Sequence, residues 1–347
     1  MEKIEPVPDF EWIFSDSDLC SLRAEDEGVL SDFDESLMER WHKSLSKNVL
    51  RFRPPGSHAW KNLGSQYGFY VMLNPGRMMN RRTPKIFQTT KDPLDPNEFN
   101  FNKIKSDEVL MTLVYRKAEK ATILVNLSPF VISSSLLVPS LPKLLPQVLN
   151  EEAIDAALTV LHLSRAPNLR IAYNSMCAYA SVNHLHFHMF YDDMPSYLGN
   201  VVLKRLTNDC YVLEEYPAPA FVFISEGTQI QSTVQYIMVL VRWLLENDIA
   251  HNVFITRGSN PNGSDELVGR CYVWARESYF GSKEGARFFP AVLELAGRII
   301  VYEESVFQSI TEEEIAARLA EVVSPIFGRI RDHIASVFEK LQVSSQR

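Results

Sequence analysis

The chain has 347 residues, 46% apolar and 22% charged, with 35 Lys and Arg against 43 Asp and Glu for a formal net charge of −8. That balance belongs to a globular protein of one or two domains with ample core, and it excludes a disordered chain, a collagen-like fibre and a disulfide miniprotein. A negative overall field argues against general nucleic-acid binding, while leaving room for a local basic pocket.

Residues 1–30 are acidic and lack periodicity, and they read as a loosely attached lead segment without the apolar stretch of a secretory signal. Ser31 then opens a helix with Asp34 in capping-box position, and Phe33, Leu37, Trp41 and Leu45 form its apolar face. Residues 48–108 are rich in Pro, Gly, Asn and Arg and predict a long irregular arm with one short strand near Phe69–Leu73. Arg77, Arg81 and Arg82 cluster there, either as a solvated charge run or as an anion-binding arm. VLMTLVYR and ATILVNL predict a hairpin, followed by the short strand SLLVP. Glu151 to Ser164 predicts a helix, and LRIAYN and SVNHLHFHMFY predict strands. The second half has a related rhythm: strand FVFISEG, a helix from Thr233 to Asn247, and strands HNVFITRG and RCYVWARE. Three helices follow, AVLELAG, TEEEIAARLAEVV and IRDHIASVFEKL, with Thr311 and Glu314 as a second capping box.

No apolar run approaches the ~20 residues of a membrane span; the best, Tyr236 to Leu245, is interrupted by Arg242. Cys20, Cys177, Cys210 and Cys271 are far apart and form no CxxC pair, so neither a disulfide framework nor a thiolate zinc site is expected, and a reducing cytoplasm fits.

The informative stretch is Asn183-His184-Leu185-His186-Phe187-His188-Met189. On a strand, His184, His186 and His188 share one face and Leu185, Phe187 and Met189 the other. Two chemistries suit three imidazoles in register. One is metal binding, with Asp192 or Asp193 adding oxygen. The other is nucleotidyl transfer, in which the central His186 attacks phosphorus and its neighbours hold oxygens and fix the tautomer. The preceding Asn174-Ser175 and Met176 to Ser181 supply small and hydroxyl residues suited to bringing backbone N–H groups to a phosphate, which favours the second.

These residues resemble the histidine-triad superfamily, its galactose-1-phosphate uridylyltransferase branch, and within that the GDP-hexose phosphorylases. The resemblance is carried by GFYVMLNPGRMMNRRTP, PNEFNFNKIKSDEVL, ILVNLSP, LLVP, YNS, ASVNHLHFHMFY, FVFISEG, DIAHNVFITRG, YVWARESYFGSKEG and LELAG, in order from about residue 66 to 297. The YVWAR and FGSKEG stretches lean toward the animal members acting on GDP-D-glucose over the plant ones. The resemblance implies an α+β fold of mainly antiparallel sheet with packed helices, in two related halves. Residues 1–50 are then a lead segment and helix, 51–205 the half carrying the nucleophile, and 206–347 the second half. It implies phosphorolysis of GDP-D-glucose to glucose 1-phosphate and GDP through a guanylyl-histidine on His186, without cofactor or metal. His184 would orient the nucleophile and His188 lie near the phosphates. Asn126 would meet the ribose, Asn174 and Ser181 the phosphates, and Arg77, Arg82 and Lys283 the anionic ends. The partners are small molecules, the GDP-hexose and inorganic phosphate, with no nucleic acid or membrane; a homodimer is compatible. Another nucleotide-sugar hydrolase or transferase, or a weakened nucleotide-sugar-binding protein, is the alternative. The chain departs from the family at Ser134-Ser135, where members carry Gly-His, at Arg298, where they carry His, and at Met176-Cys177-Ala178, where the loop is Gly-rich.

Overall fold

The computed structural model describes residues 10–23, 28–56, 59–64, 66–80, 85–227, 229–279 and 286–345. A twelve-stranded sheet forms its centre. Its strands are β1 (Glu11–Phe14), β2 (Leu22–Arg23), β5 (Val109–Tyr115), β6 (Ala118–Val125), β7 (Ser135–Pro139), β8 (Leu169–Asn174), β9 (Phe187–Tyr191), β10 (Lys204–Arg205), β11 (Tyr211–Leu213), β12 (Ala220–Ser225), β13 (Ala250–Ser259) and β14 (Glu266–Arg276). A small sheet is formed by β3 (Trp60–Asn62), β4 (Tyr70–Leu73) and β15 (Arg298–Val301). The helices are α1 (Asp32–Ser46), α2 (Pro75–Asn80), α3 (Glu151–Leu163), α4 (Tyr197–Asn200), α5 (Ile230–Glu246), α6 (Val292–Leu295), α7 (Glu304–Ser309) and α8 (Glu312–Ser345).

The main sheet runs β1-β5-β6-β7-β9-β8-β13-β14-β12-β11-β10, with β2 beside β14. Read from each outer end towards the β8·β13 junction, it gives β5-β6-β7-β9-β8 and β10-β11-β12-β14-β13. Each half is thus a meander, then a helix (α3 or α5), then two strands of which the second inserts beside the third. The two related halves expected from the sequence are visible in this shared connectivity. Ladder pairs are antiparallel except β1 with β5 and, in the small sheet, β15 with β4. Buried Ala, Val, Leu and Ile cover nearly every side of α3, because it packs on the sheet and on α5 together.

Three sequence expectations change. The described part of the lead segment, residues 10–23 and 28–30, is tied down, and residues 1–9 and 24–27 lie outside the described residues: Glu11–Phe14 pairs with Thr112–Tyr115, Leu22–Arg23 with Glu266–Leu267, and Cys20 N–H donates to the His162 carbonyl at 2.8 Å. These strands are too short to show alternation; the sheet edge supplies their register. The two C-terminal helices are one, with Pro325 inside α8. Proline removes one donor, but Ile315, Leu319, Val322, Ile326, Ile330 and Ile334 continue one buried stripe across it. The third change, at the histidines, is described with the site.

Asp34 shows how distant elements are locked. Its carboxylate caps Ser31 N–H at 3.1 Å and also accepts from Ser164 Oγ (2.6 Å), Tyr191 OH (2.7 Å) and Arg165 N–H (2.8 Å). A fully buried carboxylate is stable only with such a complete donor set, and this one pins α1 to the end of α3 and to β9.

Candidate active site

β9 begins at Phe187, so only His188 of the three histidines is on a strand; it sits between Leu136 and Ala172. Residues 184–186 bend away because other groups satisfy their backbone. Leu185 N–H donates to the Leu145 carbonyl at 2.9 Å, and the Gln147 side chain fills the place of a ladder partner. Gln147 Nε2 donates to the carbonyls of Asn174 (2.9 Å) and His186 (3.1 Å), while its Oε1 accepts from His186 N–H at 2.9 Å.

That network sets the tautomer of His186. Its Nδ1 lies 2.7 Å from the His184 carbonyl and 2.9 Å from Gln147 Oε1, both acceptors. Nδ1 therefore carries the proton and Nε2 keeps its lone pair. Burial lowers the ring to about 4, so it is neutral near pH 7. His186 and His188 line a cavity of about 400 Å³, their rings 5.7 Å apart. Burial, then His186 and Arg77, hold His188 well below its ordinary value.

His184 does not line this cavity. It is fully buried, its Nδ1 accepts from Phe101 N–H at 3.0 Å, and burial lowers it to about 4. It anchors the turn that carries Phe101, whose ring stands 5.0 Å from His186. With Phe99, Ile104, Leu124, Leu136 and Val182, Phe101 makes one wall of the cavity apolar.

The structure brings Asn126, Asn174, Ser181 and Arg77 to the same cavity. Asn126 Oδ1 accepts from Ser128 N–H at 3.0 Å, leaving its buried Nδ2 without a partner. Asn174 Oδ1 takes Asn252 Nδ2 (2.7 Å) and Val292 N–H (3.0 Å). Arg77, on α2, donates to the Ser128 carbonyl and stands over the Phe130 ring. Arg82 and Lys283 lie outside the described residues. The loop after Asn174 does not hold all its N–H groups free: those of Ala178 and Ala180 bond the Ser175 carbonyl.

The family departures fall outside the cavity. Arg298 is buried, its guanidinium 2.8 Å from Asp192 and 2.9 Å from the carbonyls of Met194 and Pro195. Asp192 is thereby committed to an ion pair and does not meet the histidines. Ser134 Oγ closes a turn on Val131 and Phe130, and Ser135 Oγ donates to the Ser133 carbonyl. Among the described residues no group of three His, Cys, Asp or Glu side chains has a metal-holding arrangement.

Sequence reasoning missed four contributors. Gln147 lies in a Pro-rich apolar stretch with no local signal. Tyr179 and Tyr279, 100 residues apart, stack at 4.3 Å on the cavity wall. Glu294 lines it too; one oxygen caps Ala291 N–H at 3.1 Å, and burial raises its carboxyl to about 7.

The fold defines the class first. The structure is similar to yeast Ap4A phosphorylase Apa2 in complex with AMP (TM-score 0.61, 14% identity, covering 84% of this chain and 96% of that one) and with Ap4A (TM-score 0.59, 14% identity). This is a histidine-triad-like α+β fold. Family models then match nearly the whole chain: "GDPGP1-like, N-terminal domain" over residues 32–190 and "GDPGP1-like, C-terminal domain" over 196–341. The chain belongs to the GDPGP1-like family. Its relatives include GDP-D-glucose phosphorylase 1 of Xenopus laevis, 32% identical over 336 residues with 84% of each chain covered. The human GDP-D-glucose phosphorylase 1 is 33% identical, covering 85% of this chain and 80% of that one. GDP-L-galactose phosphorylase 1 of Arabidopsis thaliana is 25% identical, covering 90% and 75%.

Proposed function

We propose that this chain is a GDP-hexose phosphorylase acting on GDP-D-glucose, a nucleotidyl-transferring enzyme of the cytoplasm. The observation that carries the reading is the His186 ring, held neutral with its proton on Nδ1 at the wall of a cavity in a chain a third identical to GDP-D-glucose phosphorylases. In the first step the Nε2 lone pair attacks the α-phosphorus. A P–N bond forms, the P–O bond to the β-phosphate breaks, and glucose 1-phosphate leaves. In the second step an oxygen of inorganic phosphate attacks the same phosphorus, the P–N bond breaks, and GDP leaves with the lone pair restored. The Nδ1 proton stays in place throughout. While phosphorus is attached, the ring is cationic, and the His184 carbonyl and Gln147 Oε1 are placed to stabilise that charge.

In this reading the unpartnered Nδ2 of Asn126 serves the ribose, and His188, Ser181 and Arg77 meet the phosphates. Asn174 acts through its position beside Gln147. Arg82 and Lys283 remain proposed contacts for the anionic ends. Residues 51–205 form the nucleophile half and 206–347 the completing half; a homodimer goes with the same reading. The test is a panel of nucleoside diphosphate sugars with phosphate, products separated chromatographically, and mass spectrometry of acid-sparing denatured protein for a guanylyl adduct. GDP and hexose 1-phosphate with an adduct on His186 are expected. Turnover of another nucleotide sugar in preference, or binding without turnover, would replace this reading by the hydrolase, transferase or binding-protein alternative.

A further inference from the structure

A buried hydrogen-bond chain crosses from the second half of the sheet to the wall of the histidine cavity. β8 and β13 hold equivalent places in the two halves, and their register sets Asn174 opposite Asn252. β13 and β14 set Asn252 opposite Trp274, so Arg276, two residues on, stands on the same face. Ala172, opposite His188, shares that face with Asn174. Asn174, Asn252 and Arg276 are all buried. Arg276 Nη1 donates to the Pro290 carbonyl and, at 3.4 Å, to Asn252 Oδ1. Asn252 Nδ2 donates to the Ala178 carbonyl (3.0 Å) and to Asn174 Oδ1 (2.7 Å). Asn174 Oδ1 also takes the Val292 N–H at 3.0 Å.

These bonds fix which way both amides point. A guanidinium and a backbone N–H only donate, and a backbone carbonyl only accepts. Turning over the Asn252 amide would set its Nδ2 against Arg276 and its Oδ1 against two acceptors; turning over Asn174 would set its Nδ2 against the Val292 N–H. With Oδ1 of Asn174 taken twice, its Nδ2 remains, bonded to none of the described residues and not sealed from solvent. Asn174 lines the cavity with His186 and His188, so this donor opens onto it. Arg276 is in no ion pair among the described residues, and its guanidinium lies 5.0 Å over the Tyr179 ring. Burial lowers it to about 10, which leaves it charged near pH 7. A buried cation without a counter-charge is costly, and packing alone does not call for one. Here its charge makes Asn252 Oδ1 a committed acceptor and so turns the Asn252 donors toward Asn174.

We propose that Asn252 and Arg276, both from the second half, are positioning residues that hold the Asn174 amide with its Nδ2 aimed at a phosphoryl oxygen of the bound nucleotide. The inference rests on the reading of this cavity as a nucleotide-sugar site and deepens it. Besides the carbonyl that Gln147 bonds, Asn174 then contributes its side chain, and a donor set in advance needs no reorientation when the phosphate arrives. The second half takes part in phosphate binding by orienting a group that belongs to the first.

The experiment titrates the whole chain calorimetrically with GDP and, in parallel, with guanosine, which lacks the phosphates. Asn252→Leu keeps the volume and adds no charge; it should weaken GDP by at least about tenfold and guanosine by less than about threefold. A merely structural role would weaken both alike. Arg276→Met and Arg276→Gln both lose the charge, but only the glutamine keeps a donor for Asn252 Oδ1. Arg276→Gln should therefore recover part of the GDP affinity that Arg276→Met loses. Equal loss of the two ligands in Asn252→Leu, unchanged GDP binding there, or the same GDP affinity in the two Arg276 variants overturns the proposal. Should the variants fail to fold, wild-type crystals with GDP decide: Asn174 Nδ2 within hydrogen-bond distance of a phosphoryl oxygen supports it, and phosphates out of its reach refute it. Turnover of GDP-D-glucose by the wild type tests the functional reading separately. If turnover is absent while GDP binds and the variants differ as stated, the positioning stands and that reading falls. If turnover is present and the variants bind as the wild type does, the reading stands and the positioning falls. A wild type that binds no GDP overturns both.

Discussion

Gln147→Leu removes a side chain that carries no local signal in the sequence, and its effect follows from the bonds around it. The leucine keeps most of the volume but none of the four contacts to Asn174 and His186. His186 N–H is then buried without an acceptor, a loss of about 1–3 kcal/mol, and each of the two carbonyls gives up a bond of about 0.5–1.5 kcal/mol. The sum, about 2–6 kcal/mol, lowers the melting midpoint by about 3–8 °C. His186 Nδ1 keeps the His184 carbonyl, so the tautomer survives while the ring is held by one bond instead of two. Formation of the covalent adduct in a single turnover should therefore slow by about 10–100-fold, with GDP-hexose affinity moving by less than about threefold. Differential scanning fluorimetry and quenched-flow mass spectrometry read the two effects. A variant that melts within about 1 °C of the wild type and forms adduct at the wild-type rate would show that Gln147 only fills space, and the argument from the network would fail.

Replacing His186 by Asn should leave the fold intact and reduce phosphorolysis by more than about 10⁴-fold; appreciable residual turnover in a clean preparation would assign the nucleophile elsewhere. Burial holds His184, His186 and His251 at about 4 and His162 at about 3. The unfolded chain binds protons on these rings near 6.5 that the folded chain does not, so stability should fall as pH drops from about 6.5 towards 4, and denaturant melts across that range check it. Glu294 has the opposite sign: its folded carboxyl, raised to about 7, keeps a proton that the unfolded one releases near 4.5, so it costs stability as pH rises between them. Glu294→Gln should accordingly gain on the wild type by about 3 kcal/mol between pH 4.5 and 8; a gap that stays constant with pH would mean the carboxyl is ionised in the fold. Asp192→Asn leaves Arg298 buried without its counter-charge and should destabilise by about 3–5 kcal/mol while the KM for GDP-hexose is unchanged; a KM shift without loss of stability would put this pair in the working cavity after all.

Much of the architecture was legible because it rests on local periodicity. The hairpin of β5 and β6, the strands β7, β8, β12, β13 and β14, the helices α1, α3 and α5 and both capping boxes stand where alternation, 3.6-residue spacing and cap chemistry put them. The histidine cluster could be found the same way, since three imidazoles two residues apart are rare and chemically expensive to bury. The family resemblance added the residues that share the cavity with them. What periodicity could not supply was any relation between distant segments. The lead segment has no pattern of its own and becomes strand only against β5 and β14. Pro325 reads as a break, yet the buried stripe on either side carries α8 through it. Residues 184–186 alternate like a strand, but a glutamine from 39 positions away takes their hydrogen bonds, turning His184 out of the cavity and fixing the proton on His186. Arg298 stands where the resembling family carries His, and only the fold shows that its charge is taken up by Asp192, 2.8 Å away. Composition and spacing determine which side chains a segment presents to each face; which of them are neutral, paired or free depends on partners that only the folded chain brings within hydrogen-bond distance.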